Sequence, residues 1–175
     1  MHVSLALSQV ARVAQLCDFL AHPEIMEAIH RGAPVTVPHD IGALGFDAPL
    51  WIGLGTVGLW SALDAYTDRS SFPKTKCLTC HRRGCLWGRL SPTGKLDASQ
   101  TLALAELEDM RHLFAHNYAG QADAMYFRRA RHILSSGVPM KLSSGATFDG
   151  TSLSLNPMHL RYYAERSQST VQALS

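Results

Sequence analysis

Between residues 99 and 120 the apolar side chains keep a helical beat. Ala103, Leu107, Met110 and Phe114 follow one another at intervals of four, three and four, one stripe of a helix. Asp97 or Ser99 can cap its start, and Gly120 suits the position just past its end. Near the start of the chain, Val10, Val13, Leu16 and Leu20 share a face of another helix, with Ser8 as its N-cap. Pro23 interrupts or kinks that helix, and Ile25, Met26 and Ile29 carry a second apolar series to a stop at Gly32. Residues 33–46, with two prolines and two glycines, read as a connection. The run "DAPLWIGLGTVGLWSALDAY" is apolar almost all round, which predicts a helix buried on most sides.

The texture then changes twice. Pro73 and Pro92 discourage regular structure between about 69 and 96, which reads as a loop or insertion. Beyond Gly137 the period drops to two: "VPMKL", "ATF" and "TSLSL" are strand-like and separated by "SSG" and "DG". Asp149-Gly150 predicts a two-residue hairpin turn. Asn156-Pro157 opens a last helix with Leu160, Ala164 and Val171 on one side. The expectation is one mainly α domain over 1–175: a helical bundle with a small β-meander at about 138–155 before the C-terminal helix.

Composition changes this picture in one place. A chain of 175 residues suits a single domain, and its net charge of +2 decides nothing. The distribution is informative. From Arg69 to Leu96 there are seven basic residues and no acidic one, leaving nine basic against fourteen acidic elsewhere. A basic segment on an acidic body is the footprint of a surface that meets phosphate, so Lys74, Lys76, Arg82, Arg83 and Arg89 are candidate RNA contacts. The bland counterpart is a solvated loop kept soluble by its charges. The opening "MHVSLALSQVAR" lacks the basic start of an export signal. The longest apolar run is about fifteen residues, against the roughly 20 of a membrane helix. A soluble, cytoplasmic protein without membrane contact is expected, its cysteines thiols or metal ligands rather than disulfides.

Three motifs invite cofactors. "GLGTVG" fits G-x-G-x-x-G, but no strand precedes it and no acidic residue follows at the right distance; small residues letting a buried helix approach its neighbours explain it better. "CLTCH" has the spacing of haem attachment, which belongs to exported proteins. Cys77, Cys80, His81 and Cys85 offer four zinc-compatible ligands within nine residues. Against zinc, His81 directly follows Cys80 and there is no second C-x-x-C pair. Thiols in a basic loop, and no cofactor, are expected; a structural zinc in a small metal-binding regulator is the competing reading.

The stretch "MRHLFAHNYAG" carries the chemistry. His112 and His116 are four apart and share a helix face, with Glu108 one turn further back. Arg111 and His116 are five apart, roughly 140° around the helix, a spacing that suits a groove completed by another helix. An imidazole can take the proton of a ribose 2′-hydroxyl or return one to a leaving oxygen. An arginine stays charged and can hold the phosphate. Cations compensating a helix C-terminus would use the same residue types.

"RHLFAHNY" resembles the signature of the HEPN family of small helical proteins, many of them metal-independent RNases. That signature is an arginine, a polar residue and, after four to six intervening positions, a histidine: here Arg111, His112 and His116. A toxin form adds a tyrosine two positions on, here Tyr118. The resemblance implies an up-down helical bundle that dimerises so that two motif helices build one cleft. Arg111 would hold the scissile phosphate, His116 would act as general acid or base, and His112 would orient them or the RNA. The implied function is a dimeric, metal-independent endoribonuclease in a toxin or antiviral setting. Tyr118 would be the hydroxyl that a nucleotidyltransferase-type antitoxin modifies, or a tyrosine packed with its hydroxyl outward. The alternative within the same fold is a non-catalytic RNA- or nucleotide-binding protein.

Overall fold

The computed structural model describes residues 3–20, 48–69, 72, 75–76, 85–116, 138–149 and 153–175. Helix α1 spans Val3–Leu20, α2 Ala48–Arg69 and α3 Leu86–Leu90, which runs into a 3-10 turn at Ser91–Thr93. Helix α4 spans Ala98–His116; strands β1 (Met140–Lys141), β2 (Thr147–Phe148) and β3 (Leu153–Ser154) follow, then α5 (Pro157–Leu174). The second apolar series at 25–32, the connection at 33–46 and Gly120 lie outside the described residues.

The four long helices pack as α1 on α2, α2 on α4, α4 on α5 and α5 back on α1, with α2 also touching α5. Helix α2 has the most buried circumference. Ile52, Thr56, Leu59, Leu63 and Tyr66 are buried along one stripe, Trp60, Ala62 and Thr67 on other faces, and Leu54, Ser61, Asp64 and Asp68 form the exposed strip. The hydroxyls of Thr56 and Thr67 donate to the carbonyls of Ile52 and Leu63, each at 2.9 Å, so neither enters the core unsatisfied. A Cβ on Gly53 would stand 2.7 Å from Phe114 Cδ1, and one on Gly55 2.6 Å from Leu160 Cδ2. "GLGTVG" is therefore mid-helix, and its first two glycines are where α4 and α5 come closest.

The expected stripe of α4 is buried at Ala103, Leu107 and Met110 and half-buried at Phe114. Its start is a reciprocal cap: Asp97 Oδ1 accepts from Gln100 N at 2.7 Å, and Gln100 Oε1 accepts from Asp97 N at 3.0 Å. The two bonds to its carboxylate, from Gln100 N and the Ser99 hydroxyl, hold Asp97 below the ordinary Asp range. Asn156 and His159 cap α5 in the same way, with Pro157 in its first turn and Leu160, Ala164 and Val171 buried.

The meander is three antiparallel strands in the order β1-β2-β3. Leu142 and Ala146 bracket "SSG", and Gly145 takes φ +92°, the left-handed conformation that ends such a three-residue turn. The second hairpin departs from expectation: Phe148 pairs with Leu153, leaving residues 149–152 between the paired positions rather than Asp149-Gly150 alone. Phe148 is fully buried, and burying such a ring is worth roughly 1.5–3 kcal/mol relative to exposure.

Two other expectations are corrected. Ser8 does not cap α1, which begins at Val3 and carries Ser8 on its exposed face. The basic segment is not all loop, since α3 forms inside it. Among the described residues no helix is long and apolar enough to cross a membrane.

Candidate active site on helix α4

Helix α3 is anchored through Arg89, which is only 3 % exposed. Its Nε donates to Thr67 Oγ1 at 3.0 Å and its Nη2 to the Asp64 carbonyl at 3.1 Å. Nη2 also meets the Asp64 carboxylate, and Nη1 the Asp68 carboxylate at 3.4 Å. Cys85 caps α3, its Sγ accepting from Gly88 N at 3.3 Å. The Gly88 carbonyl accepts from Thr75 N at 3.1 Å and Thr75 Oγ1 at 2.6 Å. Leu86 and Leu90 are buried. Arg89, expected among the RNA contacts, is buried and holds α3 on α2.

Helix α3 presents Trp87 toward α4. Trp87 Nε1 donates to Glu108 Oε2 at 2.6 Å. The other oxygen, Glu108 Oε1, is 3.9 Å from His112 Nε2, one helical turn on. The far side of that ring, Nδ1, is 3.4 Å from Arg111 Nη1. An arginine can only donate, so Nδ1 can accept from it in the tautomer that carries the ring's proton on Nε2, toward the carboxylate. Met110 and Leu113 on either side of this pair are fully buried, whereas Arg111 is half-buried and the His112 side chain is 29 % exposed. Titratable and cationic groups thus stand where a ligand can reach them, on a helix the core holds rigid.

His116 is the last residue of α4, one turn beyond His112; its side chain, and all of Tyr118, lie outside the described residues. So do Lys74, Arg82, Arg83, Cys77, Cys80 and His81. Lys76 is exposed. Among the described residues no three His, Cys, Asp or Glu side chains gather as a metal site. A cleft of about 200 Å³ beside Trp87, lined by Leu90, Ser91, Gly94, Leu96 and Thr101, is smaller than the roughly 300 Å³ at which ligand pockets usually start.

A second polar centre escaped the sequence reading. Glu106 is 3 % exposed, and its carboxylate accepts from Ser143 N at 3.0 Å, from the Ser143 hydroxyl, and from Tyr163 O–H at 2.9 Å. Burial, and then the adjoining Glu106 carboxylate, push the Tyr163 phenol above its ordinary value, so it remains a donor. These bonds tie the meander and α5 to α4. A signal was present: an acidic residue three positions after Ala103 falls on the buried side of α4. Nothing in the sequence indicated Trp87, which meets α4 from 21 residues away.

Compared with family models, with curated proteins and with solved structures, the chain finds no match.

Proposed function

We propose that this protein is a metal-independent endoribonuclease whose site is the C-terminal end of α4, completed by the same helix of a second copy. The observation that carries the reading is the side-by-side placement of the Arg111 guanidinium and the His112 imidazole on the accessible flank of a helix with a buried core stripe. The resemblance of "RHLFAHNY" to the HEPN signature supports it and supplies His116 as the second imidazole.

The chemistry needs no metal. One imidazole removes the proton from a ribose 2′-hydroxyl, and that oxygen attacks the neighbouring phosphorus. Arg111 holds the phosphate oxygens as negative charge builds on them. The bond from phosphorus to the 5′-oxygen breaks, and the other imidazole returns a proton to the leaving oxygen. Products are a 2′,3′-cyclic phosphate and a 5′-hydroxyl. Exposed Lys76, with Lys74, Arg82 and Arg83, would draw RNA in by its phosphates, with affinity falling steeply as salt rises. A toxin or antiviral setting, with Tyr118 modified by a nucleotidyltransferase-type antitoxin, is the biological role this reading carries.

The test is cleavage of unstructured RNA by purified protein in EDTA, with the ends identified by mass spectrometry. Cyclic phosphate ends, lost in Arg111→Ala, are expected. RNA bound but uncut would turn the reading into that of a binding protein; ends bearing a 3′-hydroxyl would contradict the mechanism.

A further inference from the structure

We infer that Glu108, held in place by Trp87, is the positioning residue that makes His112 the general base. This rests on the ribonuclease reading of the same site and adds two residues to it, one from the basic segment.

The geometry runs from α3 into the site. Trp87 can only donate, and its bond to Glu108 Oε2 at 2.6 Å orients the carboxylate with Oε1 toward His112. At 3.9 Å, Oε1 is too far for a strong hydrogen bond to neutral His112 but close enough to stabilise an imidazolium. Arg111 occupies Nδ1 at 3.4 Å, a long contact that a phosphate would compete for. With the guanidinium turned onto a phosphate, Nδ1 is the ring nitrogen on the side away from Glu108 that acts as the base, and Nε2 stays directed at Glu108. The ring can then take the 2′-hydroxyl proton, its new charge met by the carboxylate behind it. This is the order seen wherever a base is oriented by a third group: base, then carboxylate, then the donor fixing the carboxylate. The charged groups described against the ring are Glu108 and Arg111, both from α4; Trp87 of α3 adds a neutral donor.

Two substitutions separate charge from orientation. Glu108→Gln keeps an oxygen for Trp87 and removes the charge; Trp87→Phe keeps the ring and removes the donor. The first readout involves no RNA: the titration midpoint of the His112 ring by NMR, its signal assigned among nine histidines with His112→Gln. The midpoint is expected to fall by roughly one unit in Glu108→Gln, and in the same direction in Trp87→Phe. The second readout is cleavage, with kcat expected to fall roughly ten-fold in Glu108→Gln and KM to hold, since general-base power and not RNA affinity is lost. An unchanged midpoint in folded Glu108→Gln overturns the inference, as does a loss confined to KM. If the midpoint falls and the wild-type protein cuts no RNA, the ribonuclease reading fails, and with it the catalytic role of Glu108.

Discussion

Glu106 and Glu108 are two residues apart on one helix and have opposite surroundings. Glu106 is 3 % exposed, and its oxygens take donors from Ser143 and Tyr163. Glu108 is 20 % exposed, with one bond from Trp87 and its other oxygen toward an imidazole that solvent reaches. Two steps along a helix turn a side chain by about 200°, so one carboxylate faces the packed meander and the other the flank. The first is saturated by its own fold, and chemistry there would cost the fold its ties. The second keeps one oxygen turned toward the imidazole of His112. The same contrast holds for the cations: Arg89 is spent on Asp64, Thr67 and Asp68, whereas Arg111 has light contact with a neighbouring ring.

The largest expected effect breaks the contrast on the flank. Arg111→Ala or His116→Ala should each lose RNA cleavage by roughly 10²–10⁴-fold, and thermal unfolding of Arg111→Ala should stay close to wild type, because Arg111 is only half-buried. A matching drop in melting temperature would place Arg111 among the structural cations with Arg89.

Next in size is the inner carboxylate. Glu106→Ala takes the carboxylate acceptor from buried Tyr163 O–H and from the Ser143 N–H, a cost of about 2–3 kcal/mol, while Glu108→Ala should cost less than about 1 kcal/mol. Calorimetry of the pair would show a gap of about 5–10 °C in melting temperature. Equal losses would erase the distinction between them. Arg89→Ala should follow at about 2 kcal/mol, reduced because Asp64 and Asp68 are half exposed. RNA affinity should hold in Arg89→Ala at temperatures where it is folded and fall in Lys76→Ala/Arg82→Ala/Arg83→Ala.

The smallest effect is pH-dependent. Burial holds the His159 imidazole below its ordinary value of 6.5, and its Nδ1 accepts from Asn156 N at 3.2 Å in the cap of α5. A depressed folded value means stability present above pH 6.5 and lost as pH falls through the lower folded value. His159→Gln keeps an acceptor that does not titrate, so the wild-type and variant melting curves should diverge only on acidification below that point. Parallel curves down to pH 5 would show that the cap survives protonation.

Much of this scaffold is legible in sequence. The stripes of α4 and α5 are, because periodic burial and local caps are encoded within a few residues, as are the three short strands with "SSG" between them. Helix α3 is not: five residues hold no period, and its stability comes from Arg89 reaching residues 21–25 positions back. Ser8 misled because it has the chemistry of a cap but sits where α1 is already under way. Arg111, His112 and Glu108 could be put on one stretch of helix by spacing. Trp87 could not, since that contact is made by tertiary packing.

The measurement that bears most directly on the shared cleft is RNA cleavage by a mixture of Arg111→Ala and His116→Ala, each inactive alone. If arginine and histidine act from different subunits, the mixed dimer holds one intact combination and none within a chain. After subunit exchange, the account predicts recovery to roughly a quarter of wild-type activity, half of the dimers being mixed and each carrying one working site of two. A mixture that stays inactive although both variants dimerise and exchange would contradict the cross-subunit site.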